Sequence, residues 1–165
     1  MRILRVVADS SCLISLAQVK QFELLKELFL EVYITDAVYD EVVVNGIGEP
    51  GWKETESAVK KSWIVKKTVK DEVALNVLMT TLGKGESEAI ILYKELKLDY
   101  ALIDEKMARD MAELMNVNTM GVLGIIDFAV KNGFPIDKKK VVDQLKNSGF
   151  RISDKLYKKV ISNED

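Results

Sequence analysis

The stretch that decides the fold reads Ile-Leu-Arg-Val-Val-Ala-Asp-Ser-Ser and covers residues 3–11. Residues 3–8 are almost continuously apolar, which is typical of a strand buried on both faces in a parallel sheet. Asp9 ends this strand, and Ser10 and Ser11 are predicted to cap a helix that runs from about residue 12 to residue 19. In open parallel sheets, ligands bind beyond the carboxyl ends of the strands. A buried strand that ends in a carboxylate therefore predicts a polar site at that edge.

The rest of the chain repeats this alternation of short strands and helices. Further strands are predicted at 32–34, 63–69, 100–103 and 117–120. Helices are predicted over 22–29, 36–44, 54–61, 73–82, 86–96, 107–115, 121–131, 139–147 and 154–161. Such alternation predicts an α/β fold, a three-layer α/β/α arrangement with a central parallel sheet of about four to five strands. Because the 165 residues contain no linker or repeat, we expect a single domain over 1–165 with C-terminal helices from about 138 to 162.

The composition excludes several classes of function. The chain has no histidine, which excludes Ser-His-Asp and Cys-His catalysis and histidine-bound zinc. Its single cysteine, Cys12, allows no internal disulfide and fits a reducing compartment. The sequence shows no signal-peptide pattern and no apolar run of about 18 residues, so a cytoplasmic protein without a membrane segment is expected. The net charge of -2 gives no overall attraction for nucleic acid, so a polyanion would need a local basic patch or a metal.

Four acidic residues occupy positions that are predicted to be buried. Asp9 and Asp104 each end an apolar strand, Glu41 falls on the apolar stripe of its helix, and Glu86 begins a helix. A buried carboxylate is costly unless it is protonated, hydrogen-bonded, paired or bound to a metal. Each residue alone also has a structural interpretation as a helix cap or a turn residue. The four together predict one acidic pocket, with Asp9, Glu41, Glu86 and Asp104 as the catalytic residues.

Two neighbouring residues compete for places in this set of metal ligands. Glu88 lies two residues after Glu86 and replaces it if the helix is rotated. Glu105 competes with Asp104, because strand ends are uncertain by a residue or more. The candidate ligands are therefore Asp9, Glu41, Glu86 or Glu88, and Asp104 or Glu105.

Several carboxylates in one pocket cannot all be ionised without a cation, and Mg²⁺ or Mn²⁺ matches their oxygen chemistry. Two such ions can bind the attacking and leaving oxygens of a phosphodiester while water is the nucleophile, so no histidine is needed. Ser11 and Thr119 are expected to support the site by hydrogen bonds, whereas helix capping is favoured for Ser10. Lys106 and Arg109, which closely follow Asp104, are the candidates for contacting an RNA phosphate.

The order of these motifs resembles the PIN-domain nucleases, in particular a prokaryotic branch related to the VapC-type toxins. The matching segments are Asp9-Ser10-Ser11-Cys12-Leu13-Ile14, residues 35–41, Gly85-Glu86-Ser87-Glu88-Ala89, Leu102-Ile103-Asp104-Glu105, Thr119-Met120-Gly121 and Gly149-Phe150-Arg151-Ile152-Ser153. Two departures stand out. The strand-end pair is Asp-Glu where two aspartates are usual, and Asn118 replaces a common glycine.

The resemblance implies a metal-dependent endoribonuclease that hydrolyses RNA phosphodiesters by a metal-activated water, often as the toxin of a toxin–antitoxin pair. It also implies a homodimer and a small antitoxin protein that blocks the acidic pocket. The alternative is a non-catalytic PIN-like module that binds RNA or a protein. Phosphotransfer through an aspartyl phosphate at Asp9 is less favoured, because haloacid-dehalogenase-like enzymes carry a second aspartate where this chain has Ser11.

Overall fold

Five parallel strands form the centre of the fold in a computed structural model that describes residues 2–162. The strands are β1 (Arg5–Ala8), β2 (Glu31–Thr35), β3 (Ile64–Lys67), β4 (Tyr100–Leu102) and β5 (Thr119–Met120). They lie in the order β3-β2-β1-β4-β5, and every neighbouring pair is parallel. The predicted α/β fold with a central parallel sheet is confirmed, and the segment predicted at 63–69 contains the edge strand β3.

Strand β1 lies in the middle of the sheet, between β2 and β4. Val6 is paired with Val32 of β2 and with Tyr100 of β4. The Asp9 amide continues the ladder by donating to the Leu102 carbonyl at 3.1 Å. Asp9 and the residues that follow β4 therefore leave the sheet at the same edge, as the sequence predicted.

Helices cover both faces of the sheet. They are α1 (Ser10–Gln18), α2 (Leu24–Leu28), α3 (Asp36–Tyr39), α4 (Trp52–Lys60), α5 (Glu72–Leu78), α6 (Lys84–Leu96), α7 (Lys106–Leu114), α8 (Val122–Lys131), α9 (Lys138–Asn147) and α10 (Asp154–Ser162). A π-helical segment, Asp40–Val44, follows α3 directly. Among the described residues, no helix is both long and apolar enough to cross a membrane.

Two apolar cores separate the three layers, and β1 contributes to both. Val6 and Ala8 face a core shared with α1, α2, α8 and α9. Val7, between them, faces a second core with α6 and α7. This alternation follows from the two-residue period of a strand, and it explains why residues 6–8 are all apolar. The strand predicted at 3–8 is shorter in the structure, where it begins at Arg5 and Ile3 is exposed.

Three helix starts differ from the predictions in ways that affect the site. Helix α1 begins at Ser10, because Asp9 is its N-cap and accepts from the Ser10 amide at 2.7 Å. The prediction that Ser10 and Ser11 cap this helix is therefore wrong. Helix α6 begins at Lys84, so Glu86 lies in the third helical position and accepts from the Gly83 amide at 3.2 Å. Helix α7 begins directly after Glu105, which is its N-cap.

Candidate active site

A cavity of about 370 Å³ opens at the carboxyl edge of the sheet, where α1, the π-helical segment and α6 meet. We call it the acidic cavity. It is lined by Asp9, Ser10, Ser11, Ile14, Glu41, Gly83, Gly85, Glu86 and Glu105. Four separate chain segments thus each contribute one carboxylate, and none of these described lining residues is a lysine or arginine.

Asp9 lies at the bottom of this cavity and is only 4% exposed. Burial raises the pKa of its carboxyl from the ordinary value of 3.8 to about 6, and the negative charges of Glu41, Asp104 and Glu105 add to the rise. The hydrogen bond from the Ser10 amide acts in the opposite direction. An ionised Asp9 is therefore costly in the metal-free protein, and a cation in the cavity would offset this cost.

Glu41 enters the cavity from the π-helical segment. The sequence predicted a regular helix with Glu41 on its inward stripe, and this is wrong: Glu41 is exposed. The π-helical turn changes the angular position of each residue after Tyr39. The carboxylate reaches the cavity nonetheless, and the Ser10 hydroxyl donates to its Oε2 at 2.7 Å. Ser10 therefore holds Glu41 rather than capping a helix.

Gly85 provides the space that Glu41 occupies. A Cβ atom at Gly85 would lie 2.7 Å from Glu41 Oε1, and its three nearest neighbours all belong to the Glu41 carboxylate. In the sequence this glycine stands out only as part of the Gly85-Glu86-Ser87-Glu88-Ala89 motif. Its position directly before a candidate ligand, in the first turn of a helix, is the signal that could have identified it.

We expect Gly85→Ala to displace the Glu41 carboxylate and to leave the fold intact, because alanine is the better helix former. Metal affinity should fall about 10–100-fold, as it does when groups that support metal ligands are altered. Isothermal titration with Mn²⁺ measures this loss. In the Glu41→Gln background the same substitution should add little, because both changes affect one carboxylate. Additive losses would contradict this explanation.

Glu86 and Glu105 complete the acidic cavity. Glu86 Oε1 accepts from Gly83, whereas Glu86 Oε2 is buried without a hydrogen-bond donor among the described residues. Burial raises the pKa of Glu86 from 4.5 to about 7, and contact with the Glu105 carboxyl and the charge of Asp9 contribute. Glu105 also caps α7, accepting from the Ala108 amide at 3.2 Å. A cation between the Glu86 and Glu105 carboxyls would offset the charge repulsion between them.

Glu88 lies outside the acidic cavity. Its carboxylate is buried, and Oε1 accepts from the Ala37 amide at 3.0 Å, in the first turn of α3. Of the two glutamates that the sequence left open, the structure therefore brings Glu86 to the cavity. Glu88 instead accepts a hydrogen bond from the N-terminus of α3, on the opposite side of α6.

Asp104 does not line the acidic cavity, although it lies close enough for its charge to raise the pKa of Asp9. Its two oxygens accept from the Val122 amide at the start of α8, at 3.1 and 3.2 Å. Burial raises the pKa of Asp104 itself, and the Val122 hydrogen bond opposes this. Gly121 makes room for this contact, since a Cβ there would lie 2.5 Å from Asp104 Oδ1.

The remaining candidates lie around Asp104. Thr119, Lys106 and Arg109 line a separate cavity of about 460 Å³ together with Asp104. Lys106 Nζ is exposed and lies 2.7 Å from Asp110 Oδ2. Ser11, in contrast, lines the acidic cavity, and its hydroxyl is buried without a partner among the described residues.

Comparison with protein families identifies the fold. A family model described as a PIN domain matches residues 5–165, almost the whole chain. The chain belongs to the PIN-domain family. A comparison with curated proteins finds no match. PIN domains are generally nucleases and generally use divalent metals, so this chain has a nuclease fold. Its place in the VapC-related branch stays a prediction.

The acidic cavity of this PIN domain fits a divalent cation in charge and in donor chemistry. It offers only oxygen donors, and both Glu86 Oε2 and the Ser11 hydroxyl are buried there without partners in the described chain. Burial raises the pKa of Asp9 and Glu86, neighbouring carboxylates add to both rises, and no described lining residue is a lysine or arginine. As they stand, however, no three acidic or cysteine side chains within residues 2–162 form a group that could hold a metal ion. The carboxylates would have to turn toward one another to bind an ion.

Proposed function

We propose that this protein is a Mg²⁺- or Mn²⁺-dependent endoribonuclease that hydrolyses RNA phosphodiesters. The observation that carries the proposal is the acidic cavity of a PIN-family chain: four carboxylates from four segments, with no lysine or arginine among the described residues that line it. The choice of RNA over DNA rests on the sequence resemblance. The same resemblance is our reason for proposing the toxin of a toxin–antitoxin pair, a homodimer, a small antitoxin partner and a cytoplasmic location.

In this proposal the residues of the site divide into metal ligands and residues that support them. Asp9, Glu41, Glu86 and Glu105 hold the cations, and Ser10 orients Glu41. Bound divalent ions would supply activation of the attacking water and compensation of the charge on the phosphate. Ser11 lines the same space with a hydroxyl that has no partner among the described residues. Asp104 sets the negative potential behind Asp9 and stays a candidate ligand.

The positive side chains proposed to contact the substrate lie in the separate cavity that Asp104 also lines. Lys106 and Arg109 are both exposed and close to it in sequence. Exposed lysine and arginine side chains contact phosphates without reading sequence. We propose that they hold the RNA backbone against the acidic cavity, which by itself would repel it.

The second candidate function is a non-catalytic PIN-like module that binds RNA or a protein. It is favoured by the lack of a preformed metal-binding group within the described residues. It is also favoured by Asp104, whose oxygens are already engaged by the Val122 amide. Such a module would keep the fold and the surface charges but would bind no metal.

Calorimetry with Mn²⁺ distinguishes these two functions. We expect the wild-type protein to bind Mn²⁺ at pH 8 and Glu86→Gln to lose most of this heat, because Glu86 Oε2 has no other partner in the described chain. Glu72→Gln is the matched control, since Glu72 also lies in the first turn of a helix but is exposed on α5. An RNA cleavage assay with Mn²⁺ and with a chelator then tests hydrolysis. Absence of Mn²⁺ binding in the wild type would favour the non-catalytic module.

A further inference from the structure

A second cavity, of about 630 Å³, adjoins the acidic cavity. We call it the Phe150 cavity. Its wall is mainly apolar and includes Ser11, Ser15, Gln18, Lys106, Phe150 and Arg151. Ser11 and Glu105 line both cavities, so a polymer that reaches the carboxylates can place its next unit here. The volume lies in the range of small-ligand sites, which is about 300–1,000 Å³.

Phe150 is held at this cavity by the way α9 ends. Ser148 is the C-cap residue of α9, and Gly149 follows it in the left-handed conformation with φ +96°. The Gly149 amide donates to the Lys146 carbonyl at 3.1 Å, and the Phe150 amide donates to the Leu145 carbonyl at 3.0 Å. These two bonds form a Schellman ending, which fixes the direction of the residues after the glycine. Phe150 packs partly on the apolar core and partly lines the cavity.

The Phe150 cavity differs from the acidic cavity because it also carries positive charge: Lys106 and Arg151 line it together with Asp104 and Glu105. Lys106 lies at its border with Glu105, and Arg151 lies directly after Phe150. Arg151 is exposed and has no carboxylate partner in the part of the chain that the structure describes. Gln18, Ser11 and Ser15 add hydrogen-bonding groups. An aromatic ring, a guanidinium group without a carboxylate partner and amide or hydroxyl donors are the combination that binds an unpaired base with its phosphate.

Resting on the proposed function, we propose that the Phe150 cavity binds an unpaired base of the RNA substrate, next to the phosphate at the acidic cavity. Phe150 stacks on the base, and Arg151 contacts the backbone. The polar residues of α1, Gln18 and Ser15, face the edge of the base. The site requires an unpaired base, because a base inside a duplex cannot enter a pocket without leaving its stack.

The chain contains its own control for this proposal. Helix α8 ends like α9, with Gly133 at φ +84° and Phe134 donating to the Ala129 carbonyl at 3.1 Å. Phe134 also packs on the same apolar core, but it does not line the Phe150 cavity. Phe150→Leu and Phe134→Leu therefore make the same chemical change in the same local structure at two different places.

Fluorescence anisotropy with a labelled single-stranded RNA, at low salt and in EDTA to prevent cleavage, tests the proposal. We expect Phe150→Leu to weaken binding about tenfold, the size of one lost base-stacking contact. Phe134→Leu should change it less than twofold. Arg151→Gln should lower the slope of log affinity against log salt by about 0.7, as for one phosphate contact on a single strand.

Each outcome separates this proposal from the proposed function. Equal RNA affinity of the wild type, Phe150→Leu and Arg151→Gln overturns the base site and leaves the cavity to a protein partner. If those variants also bind Mn²⁺ and cleave RNA normally, the nuclease function stands without the base site. An equal loss in Phe134→Leu and Phe150→Leu overturns it as well, because the effect would then come from core packing. A wild type that binds no single-stranded RNA but binds a duplex overturns it directly.

Discussion

Asp9→Asn should reduce RNA cleavage by more than about 100-fold while the fold stays intact. Loss of outer partners of metal ligands already costs about 10–100-fold, and Asp9 is the most buried carboxylate of the acidic cavity. The fold should survive because the amide oxygen of asparagine can accept the Ser10 amide hydrogen bond that Asp9 accepts now. Asparagine is also as good an N-cap as aspartate.

The variant should be at least as stable as the wild type above pH 7. The Asp9 carboxyl has a pKa of about 6 because of burial, so ionising it costs stability that a neutral amide does not cost. A loss of activity together with an unchanged or raised melting temperature would therefore show that Asp9 serves catalysis and is not needed to stabilise the fold. Thermal unfolding and cleavage are measured on the same preparation.

Asp71→Asn is the matched control for Asp9→Asn. Asp71 is also the N-cap of a helix, where it accepts from the Ala74 amide at 3.0 Å, but it is exposed on α5 and does not line the acidic cavity. This variant should cleave RNA like the wild type. Equal cleavage by Asp9→Asn and the wild type would show that the acidic cavity is not the site of hydrolysis.

The metal-free protein should lose stability as the pH rises from about 5 to 7. The folded-state pKa is about 6 for Asp9 and about 7 for Glu86, against ordinary values of 3.8 and 4.5. Between these values the folded state binds more protons than the unfolded state, so the free energy of unfolding falls as the pH rises. For Asp9 the rise of about two pKa units corresponds to at most about 3 kcal/mol.

Mn²⁺ should reverse this loss at pH 8 and have little effect at pH 5. A ligand that binds only the folded state stabilises it, and protons compete with metal for the same carboxylates. Each kcal/mol should shift the melting temperature by about 2–4 °C in a chain of this size. Scanning calorimetry at pH 5, 6, 7 and 8, with and without Mn²⁺, measures both effects.

Between pH 5 and pH 8 the measurement is not affected by the carboxylates whose pKa is lowered in the folded state. Ion pairs and hydrogen bonds lower the pKa of Glu31, Asp127 and Asp143, so their contributions are lost only below about pH 4. A melting temperature that rises from pH 5 to pH 8 without metal would contradict the burial of unpaired acid at this site. In the Asp9→Asn variant the melting temperature should depend less on pH than in the wild type.

Much of the fold could be predicted from local sequence. The strand predicted at 3–8 forms as the central strand Arg5–Ala8, because a strand covered on both faces needs apolar side chains on both, and Val6, Val7 and Ala8 face the two cores. Thr35 directly precedes the helix predicted from residue 36 and is a residue type that caps helices, and its hydroxyl accepts from the Val38 amide at 3.4 Å. These features depend on neighbouring residues, and the pattern of neighbours is visible in a sequence.

The candidate site was predicted less completely, because its details depend on helix phase and on distant groups. The π-helical turn at Asp40–Val44 places Glu41 on an exposed position, which a regular helical period does not predict. Glu86 and Glu88 differ by two positions on one helix, and the Ala37 amide, 51 residues from Glu88 in the chain, decides which of them turns away.

The sequence by itself determined the alternation of strands and helices and the edge at which Asp9 and the Asp104-Glu105 pair emerge. Only the tertiary structure decided that Glu105 rather than Asp104 lines the acidic cavity, and that Gly85 makes room for Glu41. The physical reason is that strand and helix patterns arise from contacts a few residues apart. The direction of a carboxylate depends on which amide or hydroxyl the fold brings beside it from elsewhere in the chain.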